Sequence, residues 1–246
     1  MDRALYVALS GASHTLRAQT ANSHNLANAS THGFKAELEA MRSVGIEGGL
    51  LPTRVNAALA DRGWDASAGP VQTTGRPLDV ALKGNAWLAV QAPDGQTAYT
   101  RNGSLRVSPE GLLTTVGGLP VLGDGGPITV PPGASMAIGG DGTVSVPPTG
   151  EAAGGLAVVG RLRTVEAEPA QLDRRADGLM RARGGRELPP TSGYTLLSGA
   201  LEGSNVNATE ALINMIELAR QFELQVKVMK TAEENERQAA SISRLG

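Results

Sequence analysis

The sequence predicts an α+β fold, in which long N- and C-terminal helices form a coiled-coil domain and an antiparallel all-β domain is inserted between them. Three observations predict it. All 14 prolines lie between Pro52 and Pro190. Glycine follows the same pattern: only Gly11 and Gly33 occur in the first 44 residues, and none between Ser204 and Leu245. Proline removes a backbone donor and glycine costs entropy inside helices, so both ends are helix-compatible and the middle is not. Apolar residues in the two ends recur at steps of three and four, the spacing of a helical seam.

The C-terminal helix is the clearer of the two. Asn207, with Glu210 three residues on, resembles a capping box with Asn in place of Ser or Thr. Leu212, Met215, Ala219, Phe222, Val226 and Met229 then form the seam, which continues weakly through Glu233, Glu236 and Ala240, and the helix is expected to run from Asn207 to Arg244. Glu223–Lys227 and Glu233–Arg237 are i,i+4 pairs in the favourable order. The N-terminal helix is expected over about residues 3–28, with Leu5, Leu9, Ala12, Leu16, Gln19, Ser23 and Leu26 at the same spacing. Its several Asn and Ser residues compete for backbone bonds, so it should need packing partners.

The middle reads as β. Apolar residues alternate at Leu78, Val80 and Leu82, at Leu88 and Val90, at Leu105 and Val107, at Ile128 and Val130, and at Val144 and Val146. Asp94-Gly95, Asn102-Gly103, Gly117-Gly118 and Asp141-Gly142 punctuate these runs as tight turns. The expected domains are residues 1–35 with 200–246, an extended connector over 36–74, and the β domain over 75–199.

Composition narrows the function. The 246 residues carry 22 basic and 24 acidic side chains, a net charge of −2, which gives no support to a nucleic-acid binder. Cysteine is absent, which removes disulfides, thiolate metal sites and cysteine nucleophiles. Aromatic residues are 3% of the chain, too few for a stacking platform. No run of about 18 apolar residues occurs, so no membrane-crossing helix is expected. Met1 to Ala12 include Asp2 and lack an unbroken apolar stretch with a cleavage site, so no cleaved secretory signal is expected.

Candidate chemistry is sparse. His14, His24 and His32 are not spaced to share a helix face as metal ligands. Asp141 has Gly139 and Thr143 at alternate positions, which suits a turn better than a calcium loop. No phosphate-binding glycine loop or nucleophile elbow occurs. Seven arginines between Arg161 and Arg186 could meet an anionic partner, but Glu166, Glu168, Asp173, Asp177 and Glu187 are interleaved with them. A cell-wall enzyme would need a carboxylate pair or nucleophile, and none stands out. A binding module would need clustered aromatics, whereas Trp87, Tyr99 and Tyr194 are far apart in sequence.

Specific motifs go further. Asn25-Leu26-Ala27-Asn28, followed by Thr31-His32-Gly33-Phe34-Lys35, resembles the N-terminal signature of the bacterial flagellar rod and hook proteins. Leu201-Glu202-Gly203-Ser204-Asn205-Val206-Asn207, with Glu210, Met215-Ile216, Arg220 and Phe222-Glu223, is similar to their C-terminal signature. Arg76 to Leu82, Trp87 to Val90 and Tyr99-Thr100-Arg101-Asn102-Gly103 resemble their central domain. The opening residues and length are most like a proximal-rod member, with the distal rod protein as the alternative.

The resemblance implies a structural subunit that polymerises through its terminal helices into a hollow axial shaft. That shaft would transmit torque and pass export substrates. It implies neighbouring rod subunits and the flagellar type III export apparatus as partners, a homo- and hetero-oligomeric assembly, a periplasmic rod location, no cofactor and no enzymatic activity. The expected subunit interface comprises Leu5, Leu9, Leu16, Asn25, Leu26, Asn28, Thr31, Gly33 and Phe34. From the C-terminal side it adds Leu212, Met215, Ile216, Ala219, Phe222, Glu223, Val226 and Met229.

Overall fold

The computed structural model describes residues 2–39, 41–45, 55–59, 63–131, 136–147, 157–175, 177–191, 193 and 195–242. The chain divides into two compact units. One gathers Met1–Ala29, Ala36–Asp65 and Val206–Gly246; the other takes Ser30–Lys35 and Ala66–Asn205.

The first unit is built on two helices, α1 over Asp2–Ala27 and α2 over Ala208–Ile242. Asn207 caps α2: its Oδ1 accepts the backbone N–H of Thr209 at 3.1 Å and of Glu210 at 3.3 Å. Those are two of the donors that a helix start leaves unpaired. At 1.5 Å per residue, α2 is roughly 50 Å long. The expected end at Arg244 lies outside the described residues.

The helices pack antiparallel. Asn22 Nδ2 donates to the Ala211 carbonyl at 2.7 Å. A Cβ on Gly11 would lie 3.0 Å from the Gln225 side chain. The side of α1 turned to α2 is small, with Ala8, Ala12 and Thr15 buried. Larger residues of α2, among them Met215, Phe222, Val226 and Met229, lie half-buried on the facing side. Small against large lets the two axes approach closely.

The connector is not simply extended. Glu37–Leu38 pairs antiparallel with Gly63–Trp64, and Met41–Gly45 with Val55–Leu59. The strands Glu37–Leu38 and Val55–Leu59 pack on α1. Gly48, Gly49 and Pro52 of the connector lie outside the described residues.

Among the described residues, every strand pairing of the second unit is antiparallel. Its largest sheet runs Thr164–Glu166, Ala86–Gln91, Thr97–Thr100, Met180–Ala182, Leu172–Arg174 in spatial order. Val80–Leu82 pairs with Leu196–Ser198, and Val71–Thr73 with Ala200–Glu202. The core is aliphatic, with Leu88, Leu105, Leu113, Val121 and Val144 fully buried. Asp94-Gly95 forms the expected turn, with Gly95 at φ +79. Gly103 differs from expectation. Its φ is not positive, and it is glycine because a Cβ would fall 1.7 Å from the Val80 carbonyl oxygen.

Candidate assembly surface

In α1 the leucine stripe and the paired side are different. Leu5, Leu9 and Leu16 lie about a quarter turn from the side that meets α2. Leu9 is 52% exposed and Leu16 49%, and the neighbouring Tyr6 is 62% exposed. Leu5 and Leu26 are half-buried. The expected C-terminal seam also splits. Met215, Ala219, Phe222, Val226 and Met229 turn toward α1, whereas Leu212 and Ile216 remain at least half exposed and Glu223 is exposed.

Sequence reasoning missed a third group. Ile213, Leu224 and Val228 lie on the side of α2 away from α1, all more than half exposed. On its outward side α2 therefore carries large apolar residues among exposed polar ones such as Asn214, Glu217, Arg220 and Gln221. Full burial of one such side chain contributes about 1.5–3 kcal/mol. The seam periodicity hid these residues because it follows one face. Counting apolar residues off the seam would have found them.

The N-terminal signature does two separate jobs. Asn25 clamps the start of the connector: its Nδ2 donates to the Glu37 carbonyl at 2.9 Å and its Oδ1 accepts the Glu37 N–H at 2.7 Å. His24 stands 3.2 Å from the Glu37 carboxylate. Asn28 Nδ2 donates to the His24 carbonyl at 2.9 Å, closing the helix end.

Thr31 to Lys35 instead belong to the β unit. Thr31 is exposed there and Phe34 is buried, with the Arg174 guanidinium 4.6 Å from its ring centre. Gly33 has φ +69, and a Cβ there would sit 2.3 Å from the Arg101 backbone. Its N–H donates to the Glu202 carbonyl at 2.8 Å.

Around Glu202 a buried ionic cluster joins all three signature segments. Its Oε1 accepts from Lys35 Nζ at 2.8 Å and from the Gly69 N–H at 3.1 Å. Its Oε2 accepts from Arg101 Nε at 2.6 Å. Arg101 also donates to the carbonyls of Leu82, Gly84 and Ala86. Lys35 donates to the Ser67 carbonyl at 2.6 Å. Burial pushes the Glu202 carboxyl upward, but the Lys35 ammonium, Arg101 and the Gly69 N–H outweigh it and hold the pKa below the usual glutamate range.

The remaining candidates resolve into structure. Arg163 pairs with Glu187 at 3.0 Å, Arg181 with Asp94 at 2.8 Å, and Arg183 with Asp173 at 2.9 Å. The arginine-rich region thus largely balances its own charge. Asp141 accepts from the Thr143 N–H and hydroxyl, a turn. His14 is buried in α1 and neither ring nitrogen has a hydrogen-bond partner among the described residues. Among the described residues, no group of three His, Asp or Glu could hold a metal. Trp87 and Tyr99 are buried rather than displayed, and Tyr194 lies outside the described residues. Among the described residues, no helix is long and apolar enough to cross a membrane.

Comparison with known proteins matches both ends and the middle of the chain. Residues 5–35 match the model "Flagella basal body rod protein". Residues 81–146 match the "Flagellar hook protein FlgE/F/G D1 domain". Residues 197–242 match "Flagellar basal body rod FlgEFG protein C-terminal". Over 245 residues the chain is 46% identical to flagellar basal-body rod protein FlgF of Salmonella typhimurium, covering 97% of each chain. It belongs to the flagellar basal-body rod protein family. The Escherichia coli FlgF is likewise 46% identical, over 96% of each chain. A Buchnera aphidicola FlgG is 32% identical over 86% of this chain and 88% of its own. Within the rod family the resemblance is therefore greater to these FlgF proteins than to that FlgG. Membership makes the chain a structural component of the flagellar basal body, not an enzyme.

Proposed function

We propose that this chain is a proximal-rod subunit that polymerises through α1 and α2 into a hollow, torque-transmitting shaft. The supporting observation is the amount of large apolar surface that the helix pair leaves uncovered at Leu9, Leu16, Leu212, Ile213, Ile216, Leu224 and Val228. Helices that bear apolar side chains on more than one side bury them by association. On this reading the partners are neighbouring rod subunits. The chain reaches the periplasm through the flagellar export apparatus, and later substrates pass through the lumen.

An in-frame deletion, complemented by the wild-type gene, tests the reading. Loss of flagella and motility, restored by the gene, is expected. A deletion strain that swims normally overturns it. Leu16→Asp and Ile216→Asp refine the test, because each places a charge on the uncovered face and should block complementation while the purified chain stays folded.

A further inference from the structure

The bonds of the Glu202 carboxylate are all long-range. They reach Arg101 over 101 residues, the Gly69 N–H over 133 and Lys35 over 167. The strand that carries it, Ala200–Glu202, pairs with Val71–Thr73 close to the C-terminal end of the β unit at Asn205. Much of the aliphatic core is local by comparison. Ala86–Gln91 and Thr97–Thr100 form a hairpin across the Asp94-Gly95 turn, and Leu105–Val107 pairs with Leu113–Thr115. These two hairpins supply Leu88, Val90, Ala98, Leu105 and Leu113, all fully buried.

Two costs hold the cluster back. Closing a long loop loses entropy before the contact at its ends can form, so non-local contacts come slowly. Burying a charge is expensive until its counter-ion and hydrogen-bond partners are in place. Lys35 and Arg101 are cations at 2% and 5% side-chain exposure. Arg101 finds the carbonyls of Leu82, Gly84 and Ala86 within or beside the first hairpin. Its ion pair among the described residues is with Glu202 alone.

We propose that the Glu202 cluster is a late-closing latch: the two hairpins nucleate folding of the β unit, and the cluster shuts only after the transition state has been crossed. Interactions absent from the transition state leave the folding rate unchanged and raise the barrier to unfolding. The effect is directional. Until Ala200–Glu202 is free to pair, Lys35 and Arg101 keep their water and the unit opens readily. Once the carboxylate is seated, opening must break all three of its bonds. A chain that becomes free from its N-terminal end, in synthesis or in passage through a channel, therefore locks only when nearly the whole unit is free. The latch belongs to the single chain and stands apart from the rod reading.

Stopped-flow unfolding and refolding of the full chain in urea test it. In a Trp64→Phe background Trp87 is the remaining tryptophan. Its ring centre lies 5.6 Å from the Arg101 guanidinium, so its fluorescence reads the region of the latch. Glu202→Gln is expected to speed unfolding about thirtyfold or more and to leave refolding within about threefold of wild type. Leu105→Ala, in the nucleus, is expected to slow refolding about fivefold or more. Should Glu202→Gln fail to fold, Lys35→Met takes its place, because it keeps the Glu202–Arg101 bond. It should speed unfolding about fivefold or more, again with refolding within about threefold. A latch variant whose loss falls mainly on refolding, or whose two rates both match wild type, overturns the proposal. So does a Leu105→Ala chain that refolds at the wild-type rate. None of these results touches the rod reading, which the deletion strain decides.

Discussion

The Lys35 ammonium donates to the Glu202 carboxylate across 2.8 Å, although 167 residues separate the two in sequence. Both side chains are almost fully buried, at 2% and 1% exposure. The pair draws the N-terminal signature to the C-terminal one, and Arg101 adds the central segment from the other side. Three motifs that look unrelated in sequence thus share a single buried cluster.

Removing one charge from that cluster leaves others without a counter-ion. Glu202→Gln should destabilise the β unit by about 3–5 kcal/mol, because Lys35 and Arg101 would remain buried without their carboxylate. Urea denaturation in a Trp64→Phe background, followed by the fluorescence of the remaining Trp87, reads it. A loss below about 1 kcal/mol would show that the cluster is not holding charge in the folded state.

The same carboxylate makes the β unit acid-sensitive. Its folded pKa lies below the ordinary range, so its contribution is fully present above the unfolded pKa of about 4.3. That contribution is lost as pH falls through the folded value. Wild type should therefore lose stability faster than Glu202→Gln on acidification below about pH 4. Parallel curves for the two proteins from pH 7 to pH 3 would contradict this.

Gly33 and Gly95 both have positive φ, but their surroundings differ. Around Gly95 a Cβ would meet nothing within 4 Å, whereas at Gly33 it would strike the Arg101 backbone. Gly95→Ala should cost about 1 kcal/mol from backbone strain alone. Gly33→Ala should cost well beyond that, since the neighbour that must move is main chain. Equal thermal midpoints for the two variants would exclude the close approach as the reason for glycine at position 33.

On the helices, position decides whether a charge harms the monomer or the polymer. Phe222→Asp faces α1 and should lower the helical signal of the purified chain. Ile216→Asp faces outward and should change monomer stability by no more than about 0.5 kcal/mol while abolishing complementation. A polymer-competent Ile216→Asp chain would show that this side of α2 meets no neighbour.

Asn25 makes two bonds to the Glu37 backbone, and Asn28 makes one within its own helix end. Asn25→Ala should cost about 1–3 kcal/mol and speed amide exchange in the strand Glu37–Leu38. Asn28→Ala should leave that strand's exchange unchanged. Equal exchange in both variants would assign the clamp to other residues.

The sequence carried the local features well. The proline gap, the Asn207 cap and the three-four spacing marked both helices within a few residues of their observed bounds. Dipeptides such as Asp94-Gly95 marked turns, because a positive φ has a short-range signature. The second apolar side of α2 was obscured because Ile213, Leu224 and Val228 fall between seam positions. The Glu202 cluster was not legible at all, since nothing in the neighbourhood of Lys35 indicates a partner 167 residues away. Gly103 shows the same limit: an Asn-Gly pair suggests a turn, whereas the constraint comes from the Val80 backbone.

The residues around that cluster also determine how the β unit takes mechanical force. Every point at which the backbone passes between the two units lies at an end of Ser30–Lys35, before Ala66, or after Asn205. These stretches are tied to one another: Gly33 N–H to Glu202, Gly203 N–H to Pro70 and Asn205 N–H to Phe34. A pull on any one stretch is therefore shared by the others, and the Lys35–Glu202 bond and its neighbours are strained together. Tension or torsion entering along the backbone must break several bonds at once before it can peel a strand from the sheet, so the unit resists sudden load better than its short strands alone suggest.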